Sequence, residues 1–485
     1  MMNRSSARAP RRAKIICTIG PASRSAAMMR ALLLNGMDVA RFNFSHGGPS
    51  LQAEHIANLR RVSEELGQPI ALLQDLQGPK IRTGPIVGGV VTLAEGQTFT
   101  LTTRAVPGDE TAVSTTYQAL PRDCRRGDVI LLDDGLIALQ VESTTDTDVV
   151  CAVTDGGGLK PNKGINLPGV NVSAPALSEK DRHDVEWGIA NGLDYVALSF
   201  VRRPEDVREL QQIIAARHST MQVIAKIEKP EAINELDEIL AAADGVMVAR
   251  GDLGVEMPPE EVPLLQKRII KAANDAGKVV ITATQMLESM TTNQRPTRAE
   301  ASDVANAVLD GTDVLMLSGE TASGAYPLES VQMMARIVEE VENGIDDVWQ
   351  QRLYRPRTIT DFTIAVCEAA AHAADALNAS AIACFTETGT VARWMAKFRP
   401  RVPIIAFTPH PHVARQLQLV WGVRPLPVQR SDNTDEMLVQ ADVALFNSGL
   451  VAHGDIVVVT LGAPVALAGS TNLMKLHRIG EVGIG

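Results

Sequence analysis

The sequence has few aromatic residues and no excess of positive charge. Phe, Trp and Tyr make up 4% of the 485 residues, and 46 basic side chains are outnumbered by 57 acidic ones, for a net charge of −11. Such a surface does not favour phosphate backbones, and few rings are available to stack on bases. The composition therefore argues against nucleic-acid binding and is typical of an ordinary soluble enzyme of about two or three domains.

The chain also lacks paired cysteine motifs and long apolar runs. Its five cysteines form no C-x-x-C pair, which predicts reduced, buried thiols in a cytoplasmic protein. The apolar segment 456–469 is too short to span a bilayer and contains Pro464. No apolar signal segment follows the basic N-terminus, which we expect to be a solvated, disordered tail. That tail carries four arginines, Arg4, Arg8, Arg11 and Arg12.

A lysine and a glutamate end one apolar run near the middle of the chain. Residues 223–227 predict a strand that Pro230 ends, with Lys226 and Glu228 on one face because strand side chains alternate. A helix is predicted next, over residues 232–243. The apolar, β-branched run is typical of a parallel strand covered on both sides. Because unpaired buried charge is costly, Lys226 either forms a structural ion pair with Glu228 or reaches a polar functional cavity.

Strands alternate with helices on both sides of a segment whose composition and hydrophobic pattern are different. Residues 83–168 are rich in Val, Thr and Gly, and Glu95-Gly96 and Asp134-Gly135 resemble hairpin turns. Capping boxes at Ser178/Asp181 and Thr297/Glu300 mark two later helices. Three strands before the insertion and five after it predict an α/β fold with eight βα units, a (β/α)8 barrel. The predicted strands are 14–19, 37–42, 70–74, 195–199, 223–227, 245–249, 279–283 and 314–317.

These patterns divide the chain into three units. The barrel is predicted from residues 12–82 and 170–345, and the inserted β unit from 83–169. A polar linker at 344–358 leads to a C-terminal α/β unit over 355–485. Its predicted strands lie near 381–385, 403–407, 423–426 and 455–459.

Polar residues collect where the predicted barrel strands end, which is where such barrels place their active sites. Glu228 and Asp252 are hard oxygen ligands suited to Mg²⁺ or Mn²⁺, and no His/Cys cluster indicates zinc. Arg41 suits phosphate recognition, and Gly251 lets backbone N–H groups approach an anion. Together they indicate phosphoryl transfer. The full set is Arg41, Asn43, Ser45, Asp75, Lys226, Glu228, Arg250, Gly251, Asp252, Thr284 and Ser318.

Each of these residues also has a purely structural interpretation. Arg41 would form a surface ion pair, Thr284 would be a strand-end hydroxyl, and Ser318 would cap a helix. Agreement among so many strand ends argues against that interpretation for the group as a whole.

Seven long motifs occur in order along the chain: DVARFNFSHG at 38–47, GPKIRTG at 78–84, AKIE at 225–228, MVARGDLG at 247–254, ATQMLESM at 283–290, RPTRAE at 295–300 and MLSGET at 316–321. Through these motifs the chain resembles the pyruvate kinase family over nearly its whole length. The resemblance implies a barrel, an inserted β-barrel lid and a C-terminal regulatory domain, as in the bacterial enzymes of the family.

The resemblance assigns a role to each matching residue. It implies transfer of phosphate from phosphoenolpyruvate to ADP, giving pyruvate and ATP in the last step of glycolysis. Glu228 and Asp252 would hold the divalent ion, and Lys226 would stabilise the transferred group and the enolate. The remaining roles are phosphoryl binding by Arg41, carboxylate binding by Gly251, Asp252 and Thr284, and enolpyruvate protonation through Thr284 and Ser318.

Two further sites are implied by the resemblance. The nucleotide side would comprise Asn43, His46, Arg82 and Lys163. A sugar-phosphate or nucleotide effector would bind at the helix N-terminus formed by Thr386, Thr388, Gly389 and Thr390, with help from residues 469–472; the alternative is an ordinary capped turn. Glu387 in that loop would weaken a doubly charged phosphate. A homotetramer is implied by the family alone.

The monovalent-cation site departs from the family pattern. Asn43, Ser45 and Asp75 match its K⁺ ligands, but Leu76 replaces a threonine and Lys80 replaces a glutamate. An ammonium group there would supply the charge of K⁺ and repel the ion. The family subgroup with this lysine works without K⁺, so we expect K⁺ not to be required. The alternative is a solvent-facing Lys80 beside a site that still takes K⁺.

Two other functions share parts of this pattern. A barrel lyase or aldolase acting on a 2-oxo acid would use similar groups, but it would not explain the inserted unit or the nucleotide-side residues. A catalytically inactive sugar-phosphate sensor would keep the fold, but every catalytic position that can be matched is intact.

Overall fold

The computed structural model describes residues 11–46, 48–344, 361–431, 433–464 and 471–481. Its first part consists of three strands and two helices in alternation. The strands are β1 Lys14–Thr18, β2 Val39–Asn43 and β3 Ala71–Asp75, and the helices are Ala26–Leu34 and Pro49–Leu66.

An all-β unit follows, which we call the inserted unit (residues 83–169). Its eight strands hydrogen-bond as a six-stranded sheet, β11-β7-β8-β9-β5-β6, and a two-stranded sheet, β10-β4. One short helix lies among them, Leu120–Asp123. The strands are β4 Val91–Leu93, β5 Thr98–Thr102, β6 Ala112–Ser114, β7 Val129–Leu132, β8 Ile137–Thr144, β9 Asp148–Asp155, β10 Gly157–Leu159 and β11 Ile165–Asn166.

Five further strands close the barrel. They are β12 Tyr195–Leu198, β13 Gln222–Ile227, β14 Gly245–Ala249, β15 Val279–Ala283 and β16 Val314–Leu317. All neighbouring pairs in the ring β1-β16-β15-β14-β13-β12-β3-β2 are parallel. The predicted (β/α)8 barrel is thus confirmed, and all eight strands end at the same face.

Helices cover the barrel strands, and the capping chemistry explains where two of them begin. Ser178 Oγ accepts from the Asp181 N–H at 3.2 Å, and Thr297 Oγ1 accepts from the Glu300 N–H at 3.2 Å, so both predicted capping boxes are confirmed. The helices are Glu179–Ala190, Pro204–Ala216, Pro230–Asn234, Leu236–Ala242, Arg250–Glu256, Val262–Asp275, Arg298–Asp310, Gly319–Ala322 and Pro327–Gly344.

The C-terminal unit is a five-stranded α/β sheet in the order β19-β18-β17-β20-β21. Its strands are β17 Ala381–Phe385, β18 Ile404–Thr408, β19 Val423–Pro427, β20 Ile456–Leu461 and β21 Leu473–Arg478. Its helices are Phe362–Ala376, Thr390–Lys397, Pro411–Gln416 and Thr434–Asn447. None of the described helices is long and apolar enough to cross a lipid bilayer.

Three clusters of buried apolar side chains form the cores of these units. One runs from the barrel into the helical layer of the C-terminal unit, where it includes Cys367 and Trp421. The inserted unit has its own cluster around Phe99 and Leu139, and the far side of the C-terminal sheet has a third around Phe407. The C-terminal unit therefore shares its core with the barrel, whereas the inserted unit does not.

Several local predictions are wrong. The turn at Glu95-Gly96 joins β4 and β5, which lie in different sheets, so it is not a hairpin; the Asp134-Gly135 hairpin between β7 and β8 is confirmed. The predicted helix 232–243 is two helices separated at Glu235. Strand β21, antiparallel to β20, was not predicted.

The N-terminal arginines within the described residues are not solvated. Arg11 donates to the carbonyl of Gly36 at 2.7 Å and pairs with Asp38 at 2.8 Å. Arg12 donates to the carbonyl of Arg401 at 2.6 Å. These contacts bind the segment to the barrel and the C-terminal unit, which contradicts a free tail at these two positions. Arg4, Arg8 and residues 345–358 of the predicted linker lie outside the described residues, and Gly344, its first predicted residue, ends the helix Pro327–Gly344.

Candidate active site

The centre of the site is a buried lysine that contacts two carboxylates. Lys226 Nζ lies 2.8 Å from Glu228 Oε1 and 3.3 Å from Asp75 Oδ1, and it donates to Ser199 Oγ at 2.9 Å. The four residues come from the ends of β3, β12 and β13. The ion pair with Glu228 therefore exists, but as part of a polar cluster at the barrel mouth rather than as an isolated structural pair.

Burial and charge act in opposite directions on this lysine. Burial alone would lower the pKa of Lys226, but the carboxylates of Asp75, Glu228 and Asp252 together raise it above its ordinary value. Lys226 therefore remains a cation at neutral pH, in a place where its field is weakly screened by water.

The arginine predicted to bind phosphate shares one of these carboxylates. Arg41 Nε donates to Asp75 Oδ2 at 2.7 Å, and its Nη1 donates to Thr18 Oγ1 at 2.9 Å. Burial would raise the pKa of Asp75, but Lys226 and Arg41 lower it below its ordinary value. Asp75 thus stays ionised and orients both cations, a role that was not predicted for it.

Two carboxylates at the mouth have the chemistry of a divalent-ion site. Glu228 is 1% exposed and accepts from the Phe200 N–H at 2.7 Å. Burial raises the pKa of Glu228, and the charge of Asp252 raises it further, whereas Lys226 lowers it. In the described ranges no group of three His, Cys, Asp or Glu side chains converges on a metal position. Two hard carboxylates suit Mg²⁺, which commonly keeps waters and substrate oxygens as its other ligands.

The turns that follow β14 and β15 contact each other. Thr284 has a φ of 74°, unusual for a β-branched residue, and Arg250 donates to its carbonyl at 2.7 Å. Arg250 also pairs with Asp303 at 2.6 Å. A Cβ on Gly251 would lie 2.7 Å from Thr284 Cγ2, so only glycine lets the two turns approach. Ser318 follows β16 and donates its N–H to Glu320 Oε2 at 2.7 Å.

A cavity of about 610 Å³ opens beside these turns. Gly251, Asp252 and Thr284 line it from the barrel, and Asp134 lines it from the inserted unit. Lys80, in the segment that leads into the inserted unit, also lines this cavity. Lys80 therefore lines the same cavity as Gly251, Asp252 and Thr284.

The predicted nucleotide-side residues fall into two groups. Asn43 and His46 lie together on the turn after β2, where the His46 N–H donates to the Asn43 carbonyl at 3.2 Å. Arg82 lies opposite Gly164 in a β-bridge, beside Lys163, whose Nζ pairs with Asp133 at 2.8 Å. The first group lies on the barrel, and the second lies at the base of the inserted unit.

The predicted effector loop follows β17 in the C-terminal unit. Thr386 Oγ1 accepts from the Gly389 N–H at 2.8 Å, and the hydroxyls of Thr388 and Thr390 lie 2.9 Å apart. Glu387 Oε2 lies 2.6 Å from His410 Nε2. Of the supporting loop, residues 469 and 470 lie outside the described residues.

Two contributors were missed from the sequence. Ser199 accepts from Lys226 and donates to the Leu76 carbonyl at 2.7 Å. Thr18 orients Arg41. Both are polar residues at strand ends, the signal that identified the other site residues.

Comparisons with known proteins agree over nearly the whole chain. Residues 10–331 match the model of the pyruvate kinase barrel domain, and residues 364–477 match that of the pyruvate kinase alpha/beta domain. The chain is 49% identical over 478 residues to a pyruvate kinase of Geobacillus stearothermophilus, covering 97% of this chain and 81% of that protein.

Two further relatives support the same assignment. A pyruvate kinase of Mycobacterium tuberculosis is 48% identical over 471 residues, covering 97% of this chain and 99% of that one. The crystal structure of a pyruvate kinase from Cryptosporidium parvum superimposes with a TM-score of 0.92 at 38% identity, covering 97% of this chain and 96% of the other. The fold, the cluster at the barrel mouth and these matches together show that this chain belongs to the pyruvate kinase family.

Proposed function

We propose that the site transfers the phosphoryl group of phosphoenolpyruvate to ADP, giving pyruvate and ATP. The observation that carries this proposal is the buried cation of Lys226, held among carboxylates at the mouth of a closed barrel. Phosphoryl transfer depends on positioning and charge stabilisation. Membership of the pyruvate kinase family supports the same reaction.

Arg41 and Lys226 act on the phosphoryl group. Asp75 holds both side chains, so neither cation has to reorganise when the substrate arrives. Arg41 binds the phosphoryl oxygens, and Lys226 stabilises negative charge on the transferred group and on the enolate. Glu228 and Asp252 would hold Mg²⁺ or Mn²⁺, which would supply further neutralisation of the substrate's negative charge.

The substrate carboxylate binds at the turn formed by Gly251, Asp252 and Thr284. All three residues line the cavity, and their backbone N–H groups and the Thr284 hydroxyl would bind the carboxylate. Thr284 and Ser318 belong to the route by which the enolpyruvate is protonated.

The inserted unit is the nucleotide-binding lid. Arg82 and Lys163 lie at its base and act with Asn43 and His46 on ADP. Its separate core supports movement as a body, and its closure excludes water so that the phosphoryl group is transferred to ADP. The domains are the barrel at 12–82 and 170–345, the lid at 83–169 and a regulatory domain at 355–485.

Potassium is not required for this activity. The groups that match the K⁺ site already have protein partners: Asp75 holds Arg41 and Lys226, and Asn43 Oδ1 accepts from the Ser45 N–H at 3.0 Å. The Leu76 carbonyl, which could have replaced the threonine, accepts from Ser199. Lys80 lines the same cavity as Gly251 and Asp252 and brings the positive charge in place of the ion.

A phosphorylated sugar or nucleotide activates the enzyme at the loop that carries Thr386, Thr388, Gly389 and Thr390. Arg393, one turn into the helix that follows, donates to the Thr388 carbonyl and to Gln222 Oε1, both at 3.1 Å. Gln222 begins β13, the strand that carries Lys226. A ligand that reshapes the loop therefore acts on the base of that strand.

The assembly and the compartment are proposed on more general grounds. The enzyme is a homotetramer, as the family resemblance implies, and Phe446 and Leu476 in the C-terminal unit expose apolar surface, at 53% and 51%. The cytoplasmic assignment rests on the five cysteines, which are all free and buried.

A coupled assay tests the function. The protein is given phosphoenolpyruvate, ADP and Mg²⁺, and pyruvate is measured through lactate dehydrogenase. We expect turnover that needs all three components. Pyruvate formation independent of ADP would indicate hydrolysis of phosphoenolpyruvate and would contradict the proposal. No pyruvate from phosphoenolpyruvate would favour a lyase acting on another substrate, or a sensor if sugar-phosphate binding is retained.

A further inference from the structure

A second buried ion pair lies beside the two carboxylates assigned to the divalent ion. Lys229 Nζ is 2.6 Å from Glu256 Oε1, with side-chain exposures of 12% and 1%. Lys229 directly follows Glu228 in the chain. Glu256 is the last residue of the helix Arg250–Glu256, whose first turn contains Asp252. The pair therefore joins the two elements that carry the carboxylates.

The inserted unit binds to the same glutamate. Asn166 Nδ2 donates to Glu256 Oε1 at 2.9 Å, and Asn166 ends β11, the last strand of the inserted unit. The other oxygen of Glu256, Oε2, is buried without a hydrogen-bond partner among the described residues. Lys229 and Asn166 therefore both contact Oε1 of Glu256. This single atom links the end of β13, the short helix and the inserted unit.

The two chain crossings between barrel and inserted unit contact the segment after β12, which includes Phe200 and Arg202. Phe200, whose N–H donates to Glu228, packs on the outgoing segment so closely that a Cβ on Gly78 would lie 2.7 Å from its ring. On the returning segment, Arg202 Nη2 donates to the Ala174 carbonyl at 2.6 Å. The position of the inserted unit is thus mechanically linked to both carboxylates.

We propose that Lys229, Glu256 and Asn166 form a positioning cluster for the divalent-ion site. The ion pair sets the separation of Glu228 and Asp252, and Asn166 makes that separation depend on the position of the inserted unit. The inference rests on the proposed function, because it takes Glu228 and Asp252 as the metal ligands.

Physical reasons favour positioning over a purely stabilising role. A buried ion pair contributes little net stability, since desolvation offsets its attraction. A seven-residue helix is too short to hold its own geometry in water, so its last residue needs an anchor. Groups that orient metal ligands typically affect metal affinity by about 10–100-fold when they are removed.

Mn²⁺ binding to the substrate-free protein, measured by electron paramagnetic resonance, tests the cluster. Glu256→Gln keeps the shape and the hydrogen bond with Asn166 but removes the charge, and Lys229→Met removes the cation. We expect each to raise the Kd for Mn²⁺ by about 10–100-fold, with circular dichroism like that of the wild type. Glu256→Gln is nearly isosteric, so it remains informative if Lys229→Met does not fold.

Lys397→Met is the matched control. It breaks another buried pair, with Asp313, at the opposite end of the barrel. It should lower the melting temperature while leaving the Kd for Mn²⁺ unchanged. A loss of Mn²⁺ affinity equal to that of Glu256→Gln would show that general destabilisation explains the effect and would overturn the inference.

Two further variants separate the possible failures. Asp252→Asn should abolish Mn²⁺ binding; if it does not, the proposed metal site is wrong. If it does, while Glu256→Gln and Lys229→Met bind Mn²⁺ like the wild type, only the positioning inference is overturned.

Asn166→Leu tests the link to the inserted unit. It keeps the ion pair but removes the hydrogen bond from the inserted unit, so it should reduce kcat/KM for phosphoenolpyruvate more than it reduces Mn²⁺ affinity. Equal losses in both quantities would contradict the link to that unit.

Discussion

A buried cation at the centre of the site depends on its carboxylate neighbours. An isolated ammonium group in this position would lose its proton. Asp75 and Glu228 contact Lys226 directly, and Asp252 adds its field. The same carboxylates would repel one another without Lys226 and Arg41. Each charge is therefore tolerated because of the others, and the site is assembled as one electrostatic unit.

The proposed substitute for potassium is a single residue, Lys80, and its charge can be reversed. With K⁺ replaced by a bulky organic cation at equal ionic strength, the wild type should keep its turnover. Lys80→Glu should then lose about tenfold or more in kcat/KM for phosphoenolpyruvate, roughly 1.4 kcal/mol, because the anion would repel the substrate. Added K⁺ should restore it.

Lys160→Glu is the control for that prediction. It makes the same charge change at an exposed lysine of the inserted unit, so it should leave kcat/KM unchanged with or without K⁺. A wild type that itself loses most of its turnover without K⁺ and regains it with K⁺ would contradict independence.

At the scale of elements, the sequence was most informative where both faces of a strand are buried. The barrel strands at 245–249, 279–283 and 314–317 have the predicted bounds, because continuous apolar runs end sharply at polar residues. Prediction failed where the pairing of distant segments determines the strands. Strand β4 pairs with β10, and each pair of partners is separated by 64 or more residues in the sequence. Strand β21 is an edge strand with mixed polarity. The local sequence pattern does not specify which distant segments pair with each other.

The site residues, too, could be predicted only where the sequence carries a local signal. Residues at strand ends could be found because βα topology brings strand ends together. The sharing of Asp75 between Arg41 and Lys226 could not be found, because it depends on side-chain directions across three strands. The contact of Glu256 with Asn166 joins two units and likewise leaves no local signal.

The helix Thr390–Lys397 is the element through which an effector would act. A panel of sugar monophosphates, sugar bisphosphates and AMP should contain at least one compound that lowers the concentration of phosphoenolpyruvate needed for half-maximal rate. Thr388→Val removes a loop hydroxyl at nearly constant volume and should weaken that response without changing the rate in the absence of effector. If no compound alters affinity or turnover, the loop is an ordinary capped turn.

For the whole molecule, the joint between barrel and C-terminal unit holds a buried charge cluster. Lys397 and Arg399 both pair with Asp313, at 2.5 and 2.8 Å. Burial lowers the pKa of Lys397 to about 8, although Asp313 opposes the change. The unfolded chain should hold this proton up to the ordinary pKa of about 10.4.

Stability should therefore rise with pH in a defined window. Between about pH 8 and 10 the unfolded state binds more protons at Lys397 than the folded state, so this residue's contribution to unfolding free energy increases with pH. The melting temperature of the wild type, minus that of Lys397→Met, should increase across this window. A difference that stays flat or decreases would show that Lys397 remains charged in the folded protein.

The turnover of Lys226→Met tests the role of the buried cation most directly. Methionine keeps the apolar stem and removes the charge, and Arg41 still pairs with Asp75, so the barrel should fold. In the coupled assay with saturating phosphoenolpyruvate, ADP and Mg²⁺, kcat should fall by about 10³-fold or more. A folded Lys226→Met protein that keeps near wild-type turnover would contradict the assignment of Lys226 to phosphoryl transfer.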